Sequence, residues 1–381
     1  MKSITAVYLV TLFYAFHYAL PLYSESSYLE SILPLQWVGI VYSIAALGSL
    51  AFTLKIGSFL NRWSNRRVLM SVAFLEGVSL LVLAYSTSIA VSIVFFTIHI
   101  ILLSALYVGL NILVESVSKK ENTGKVRGVY LTILNVGILT GPFFASQLVG
   151  SGFALLFIGA ALCLVPMIYI LSKNLNHLQE PRYIAPDLFE SLEQLRQFKD
   201  VQRIVFVQFI LELFWIIMIV YGPIYLIQND IATLATYLGV IIPIILIPFI
   251  ILPYPLGRLA DHKLGEKELL IFGLFLMIFG TGMFALLSVP VLAIYIFALF
   301  IARLGASMVE ELASSYFYKQ VDHSQADLIS IFVNTRNLAL ISGPLIGSVI
   351  IYTYSLQTVF FVLVGILMLS LLPIFKLHDT R

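Results

Sequence analysis

A chain of 381 residues that is 60% hydrophobic and only 11% charged, with mean hydropathy +1.00, carries more apolar surface than a water-soluble fold has interior to hold. That composition excludes a soluble enzyme or a nucleic-acid-binding module and leaves a protein surrounded by lipid. The single cysteine, Cys163, excludes a disulfide framework and a cysteine-based metal site, and the net charge of +2 says little as a total.

A helix needs ~20 apolar residues to cross ~30 Å of hydrocarbon. Twelve such runs follow one another: 4–23, 34–56, 67–86, 89–117, 127–149, 152–172, 202–227, 232–255, 268–287, 289–317, 327–352 and 355–376. The prediction is an all-α membrane protein of 12 transmembrane helices, each satisfying its own backbone groups, with no β-barrel pattern. All 22 Lys and Arg fall in the even-numbered connections, at the termini or inside spans. The loops at 24–31, 86–88, 150–151, 228–231, 288–289 and 354–355 contain none. By the positive-inside rule both termini are cytoplasmic, in a multi-pass protein of the plasma (inner) membrane. The first run is read as a helix and not as a cleaved signal peptide, because Pro21-Leu-Tyr23 at its end matches Pro223-Ile-Tyr225 at the end of the seventh.

That match belongs to an internal repeat. Gly57 opens a polar, basic hairpin, G-S-F-L-N-R-W-S-N-R-R, and 200 residues later Gly257 opens G-R-L-A-D-H-K-L-G-E-K. Trp37-Val-Gly39 lines up with Tyr237-Leu-Gly239 at the same offset, and Asn135 to Pro142 with Asn337 to Pro344 at 202, where Ser146 also meets Ser348. Two pseudo-symmetric six-helix bundles follow, 1–172 and 201–381. They are joined by 173–200, in which Leu188, Leu192 and Leu195 at helical spacing predict a short amphipathic helix on the membrane surface.

The hairpins resemble the signature loop of the major facilitator superfamily, of the form G-x-L-A-D-R-x-G-R-[RK]. The second copy supplies Gly257, Asp261, Lys263, Gly265 and Lys267; the first keeps Gly57, Arg62, Arg66 and Arg67, with Asn61 at the aspartate position and Ser64 or Asn65 at the glycine. Span five is similar to the antiporter motif of drug:proton antiporter-like members through Gly128, Gly137, Gly141 and Pro142, with Ala145-Ser146 where that motif ends in Gly-Gly. The resemblance implies a 12-span transporter whose bundles rock about a midplane site lined by spans one, four, seven and ten. It also suggests cytoplasmic latches, Arg66 and Arg67 to Glu115, and Lys267 to Glu310 or Glu311, with simple positive-inside anchoring as the alternative. The span-five glycines would face an interdomain gate, although static packing uses the same residues.

Ionisable groups deep in a span are costly unless paired or wet, which makes them functional candidates. Gln208, Glu212 and Trp215 share one face of span seven, and Phe300, Arg303, Ser307 and Glu310 one face of span ten. Glu212 and Arg303 are the leading pair for substrate binding or proton coupling, a permanent structural bridge being the alternative. Arg336 is placed to neutralise Glu212 or meet an anion. Span four presents Ser104, Tyr107, Asn111 and Glu115 as a polar stripe, with His99 about 140° away from Ser104 and read as packing. His17 is either a proton-responsive cavity residue or solvated at the interface. Glu76, on span three, is read as locally paired.

No H-E-x-x-H, G-x-S-x-G or phosphate-cradling loop occurs, so no enzyme, cofactor or metal is expected. The expected function is proton-coupled efflux of small amphipathic or hydrophobic compounds by a monomer in the lipid bilayer. The alternatives are an importer or exchanger of an anionic metabolite using Arg303 and Arg336, and a non-transporting membrane scaffold.

Overall fold

The structure is a computed structural model that describes residues 3–118, 123–175, 193, 195–260, 265–321 and 325–378, with the side chains at 58, 60, 61, 123–125, 326 and 327 outside that description. Among the described residues, twelve helices are long and apolar enough to cross a membrane. In order they are span one (Ser3–Leu22), two (Leu35–Trp63), three (Asn65–Tyr85), four (Ile89–Ser116), five (Thr123–Val149), six (Phe153–Asn174), seven (Lys199–Gln228), eight (Leu234–Leu259), nine (Glu266–Leu286), ten (Leu292–Gln320), eleven (Ala326–Thr353) and twelve (Leu356–Phe375). A short helix, Glu25–Ile32, lies between the first two. Span eight is broken into segments by Pro243, Pro248 and Pro253, each removing a backbone donor, with a π-turn at Tyr237–Ile241. The amphipathic helix expected from 187 onward falls mostly outside the described residues.

The chain divides into two compact units, 1–33 with 41–185 and 234–240, and 34–40 with 186–233 and 241–381. In the first, span one packs on five and six, and span three on four and six. In the second, seven packs on eleven and twelve, and nine on ten and twelve. The same pairings recur six spans on, so the sequence repeat is also a packing repeat. The segments 34–40 and 234–240 are themselves equivalent at the offset of 200.

Their glycines explain why. A Cβ at Gly39 would fall on the Pro344 carbonyl oxygen and the Tyr221 hydroxyl, and lie 2.6 Å from Ser348 Oγ. One at Gly239 would lie 2.8 Å from Ser146 Oγ. The repeat thus uses one device twice, a glycine of an even span set against the matching serine of an odd one.

The hairpins repeat a second device at an offset of 201. Ser64 and Gly265, each just before its helix, both have positive φ, 68° and 80°. The next residue ties its helix to a neighbour. Buried Asn65 donates to the Gly109 carbonyl of span four at 2.8 Å. Buried Glu266 accepts from Lys319 at 2.5 Å and Ser315 at 3.1 Å, both of span ten. The residue after that caps a helix end. Arg66 donates to the Leu171 and Ser172 carbonyls closing span six, and Lys267 to the Leu377 carbonyl just past span twelve.

Two stability effects are expected in thermal unfolding of detergent-solubilised protein. Gly39→Ala loses about 2 kcal/mol, because the carbonyl it meets is backbone and cannot move aside. Ser64→Gly gains about 1 kcal/mol, since Ser64 makes no capping hydrogen bond and holds a conformation natural to glycine. An unchanged melting temperature for either would contradict the corresponding account.

Candidate functional site

The second unit gathers the charges of spans seven, ten and eleven. Gln208 Nε2 donates to Glu212 Oε1 at 3.2 Å, one turn along span seven. The charged groups acting on Glu212 and Glu310 include Arg336, and Glu212 also acts on Glu310. The Trp215 indole lies near Glu310. Glu212 and Trp215 are half-buried, whereas Glu310 and Arg336 are exposed. Glu212, Glu310 and Arg336 thus lie close enough for their charges to bear on one another, beside an aromatic wall formed by Trp215 and Phe249, whose centroids are 5.0 Å apart.

Arg303 takes a different position from the one expected. Its guanidinium lies over the Trp215 ring at 4.1 Å and the Phe214 ring at 5.4 Å, with the residue only 1% exposed. Arg303 thus supports Trp215 from behind, and Arg336 is the arginine whose charge bears on Glu212. The physical reason is that a weakly hydrated, planar guanidinium is stabilised by aromatic faces when water is excluded. Ser307, one turn on, donates to the Pro248 carbonyl where span eight is broken, at 3.3 Å. Phe300 is half-buried on the same helix.

In the first unit, Tyr107 is 46% exposed and Asn111 donates to the Tyr107 carbonyl at 2.8 Å. Glu115 is exposed. His17 is fully buried and meets Glu76 and, through it, His99. That placement corrects two readings: His17 is not solvated at an interface, and His99 is not a plain packing residue. Helical spacing within span four showed only that His99 left the polar stripe; its partners come from other helices. Among the described residues no group of three or more His, Cys, Asp or Glu has metal-holding geometry.

Arg62, Arg66 and Lys267 make contacts within their own units. Arg66 and Lys267 bind helix-end carbonyls, where the sequence suggested Glu115 and Glu310 or Glu311. Arg62 lies over Trp63 at 5.7 Å, and Arg67 is exposed. Gly257 passes 3.9 Å (measured from a Cβ placed there) from Glu311 Oε1. Asp261 and Lys263, and the Asn61 side chain, lie outside the described residues. Sequence reasoning missed Asn65 and Glu266, although the repeat aligns them one residue past the positive-φ positions.

Of the span-five motif, Gly137 and Gly141 lie against Ala15 and Ala19 of span one, while a Cβ at Gly128 would touch nothing. Pro142 is inside the same helix. In the second unit, Gly343 and Gly347 lie against span seven, at Leu213 and the Tyr221 ring. The small-residue faces thus join equivalent helices within each unit.

Residues 3–338 and 204–381 match the profile of the Major Facilitator Superfamily. No curated protein matches the chain in sequence. Solved structures do match in fold. A mutant of the nucleoside transporter NupG aligns over 99% of this chain and 100% of its own, at TM-score 0.80 and 14% identity. A bacterial homologue of the iron transporter ferroportin, in an inward-facing state, covers 98% of each chain at 0.78 and 15%. A bacterial homologue of the lysosomal transporter Spinster, inward-facing and occupied, covers 98% of this chain and 95% of its own at 0.76 and 11%.

Arg303→Lys keeps the charge but loses the flat surface stacked on Trp215. A loss of about 1 kcal/mol in unfolding free energy is expected, with a red shift of tryptophan emission as Trp215 loosens; wild-type values for both would show that the stack contributes nothing.

Proposed function

The chain belongs to the Major Facilitator Superfamily, and from that premise we propose that it is a proton-coupled exporter of small amphipathic or hydrophobic compounds. It is a multi-pass membrane protein with the fold of that superfamily's transporters. In the proposed reading it works as a monomer in the plasma membrane with both termini cytoplasmic, as the distribution of its Lys and Arg suggests. Its two six-span halves alternate access to a central site.

One arrangement supports a proton site: spans seven, ten and eleven bring two carboxylates, Glu212 and Glu310, under the influence of one guanidinium, Arg336. With both carboxylates ionised the group keeps an unbalanced negative charge within a span, and one bound proton removes it. Trp215 lies near Glu310 and packs at a tilt on Phe249, so a flat apolar substrate settling there would sit beside the proton acceptor. The span-five resemblance to proton-driven exporters supports the direction of transport.

The second reading, exchange of an anionic metabolite, draws support from the exposure of Arg336. It draws none from Arg303, which is buried against rings. The names of the structural neighbours point to nucleosides and iron, and at 11–15% identity these likenesses extend to fold alone. A non-transporting scaffold has little support, because short loops leave little surface for a partner protein.

Glu212→Gln in proteoliposomes tests the proposal. An imposed pH gradient is expected to drive uptake of a lipophilic dye by the wild type and not by the variant. Dye transport that ignores the gradient in both proteins would overturn it, and Arg336-dependent stabilisation by small carboxylates in a thermal-shift panel would favour the anion reading.

A further inference from the structure

The first unit holds a line of buried polar groups, hydrogen-bonded except at the His17–Glu76 contact, that the proposed site does not use. His17 Nδ1 is 3.1 Å from the Ala160 carbonyl of span six, and its Nε2 is 3.5 Å from Glu76 Oε1 of span three. The same oxygen is 2.5 Å from His99 Nδ1 of span four. His99 Nε2 is 3.2 Å from Glu25 Oε1 on the short helix, and the Tyr42 hydroxyl of span two donates to Glu25 Oε2 at 3.4 Å. His17, Glu76 and His99 are 0% exposed and Glu25 only 4%. The other ring beside His17 is Tyr14, with centroids 6.2 Å apart, and Tyr28, next along the short helix, packs on Phe153 and Phe157. Tyrosine hydroxyls keep their protons near neutral pH, so the two histidines and two glutamates are the groups that exchange them.

Hydrogen-bond chemistry fixes where the protons must lie. A carbonyl only accepts, so His17 Nδ1 carries a hydrogen and a neutral ring would point its Nε2 lone pair at Glu76. Two acceptors then face each other until a proton sits on one of them. His99 has a carboxylate at each ring nitrogen, and a neutral imidazole donates from only one. Meeting every contact takes two protons beyond those of neutral rings and ionised carboxylates. That loading also makes the buried group electrically neutral, the condition under which such a cluster is tolerated inside a membrane protein. A metal ion fits poorly, because His99 directs its two nitrogens at different carboxylates.

We propose that His17 and Glu76 form a second proton-binding site, which loads and releases one proton between the His17 Nε2 and Glu76 Oε1 atoms, with His99 and Glu25 as the chain of groups that carries it and Tyr42 holding Glu25 in place. The His17–Glu76 contact is the loosest of the ring–carboxylate contacts, which makes its proton the exchangeable one. Glu25 stands in the first turn of the short helix between spans one and two, so the chain leads from that connection toward the middle of spans three and four. The assignment goes beyond the function proposed above, since a proton site can be measured without transport.

The test is nitrogen NMR of the full-length protein labelled at its 6 histidines, reconstituted in lipid, with His17→Asn used to assign the His17 signal. In wild type, His17 Nε2 is expected to change between protonated and unprotonated shifts between about pH 5 and 8 while Nδ1 stays protonated. Glu76→Gln, which keeps the side-chain volume, is expected to displace that midpoint by about one to three pH units. Glu212→Gln should leave it in place, which separates this site from the other. A His17 signal that does not change with pH, or one that Glu76→Gln leaves unmoved, would overturn the proposal whatever the transport assay shows.

Discussion

A charge carried into a bilayer must find its partner inside the protein, and in this chain that constraint governs the interior of both units. An ionisable side chain shut away from water needs a partner, and His17, Glu76, His99 and Arg303 each meet theirs on another helix. In the second unit Arg336 acts on carboxylates from spans seven and ten, while Arg303 lies on the rings of span seven. In the first, one carboxylate of span three is approached by histidines of spans one and four. Helix packing and polar chemistry are linked here: span three packs on span four, and Glu76 of the one meets His99 of the other.

The duplication is visible at the level of atoms. Gly39 and Gly239 each lie against the serine that the repeat assigns to the other, Ser348 and Ser146. Ser64 and Gly265 share a backbone conformation, although only one of them is the residue type suited to it. Asn65 and Glu266 bind a neighbouring helix by different chemistry, a neutral amide to a carbonyl and a carboxylate to an ammonium. Arg66 and Lys267 both satisfy helix-end carbonyls. The geometry has outlasted the residue types, because the orphan carbonyls at a helix end require a donor but not a particular one.

Where the copies have diverged, they have done so in polar content. The first unit buries histidines against carboxylates; the second combines carboxylates, a guanidinium and indole. In the proposed reading this gives the molecule two proton sites of different chemistry, one beside an aromatic wall open to a substrate and one enclosed among helices.

The sequence by itself determined the twelve spans, the internal repeat and the superfamily, because apolar length and recurring motifs are properties of a linear string. It also identified which residues were expensive to bury: Glu212, Arg303, Arg336, His17, Glu76 and His99 were all legible as charges out of place. Their partners were not. Helical periodicity gives the face a residue occupies on its own helix and leaves open the rotation of that helix and the identity of its neighbour. Only the tertiary structure decided that Arg303 turns to Trp215, and that Glu25 in a connecting helix completes a line begun by His17. Those contacts join residues from different helices, so no spacing along the chain could have shown them.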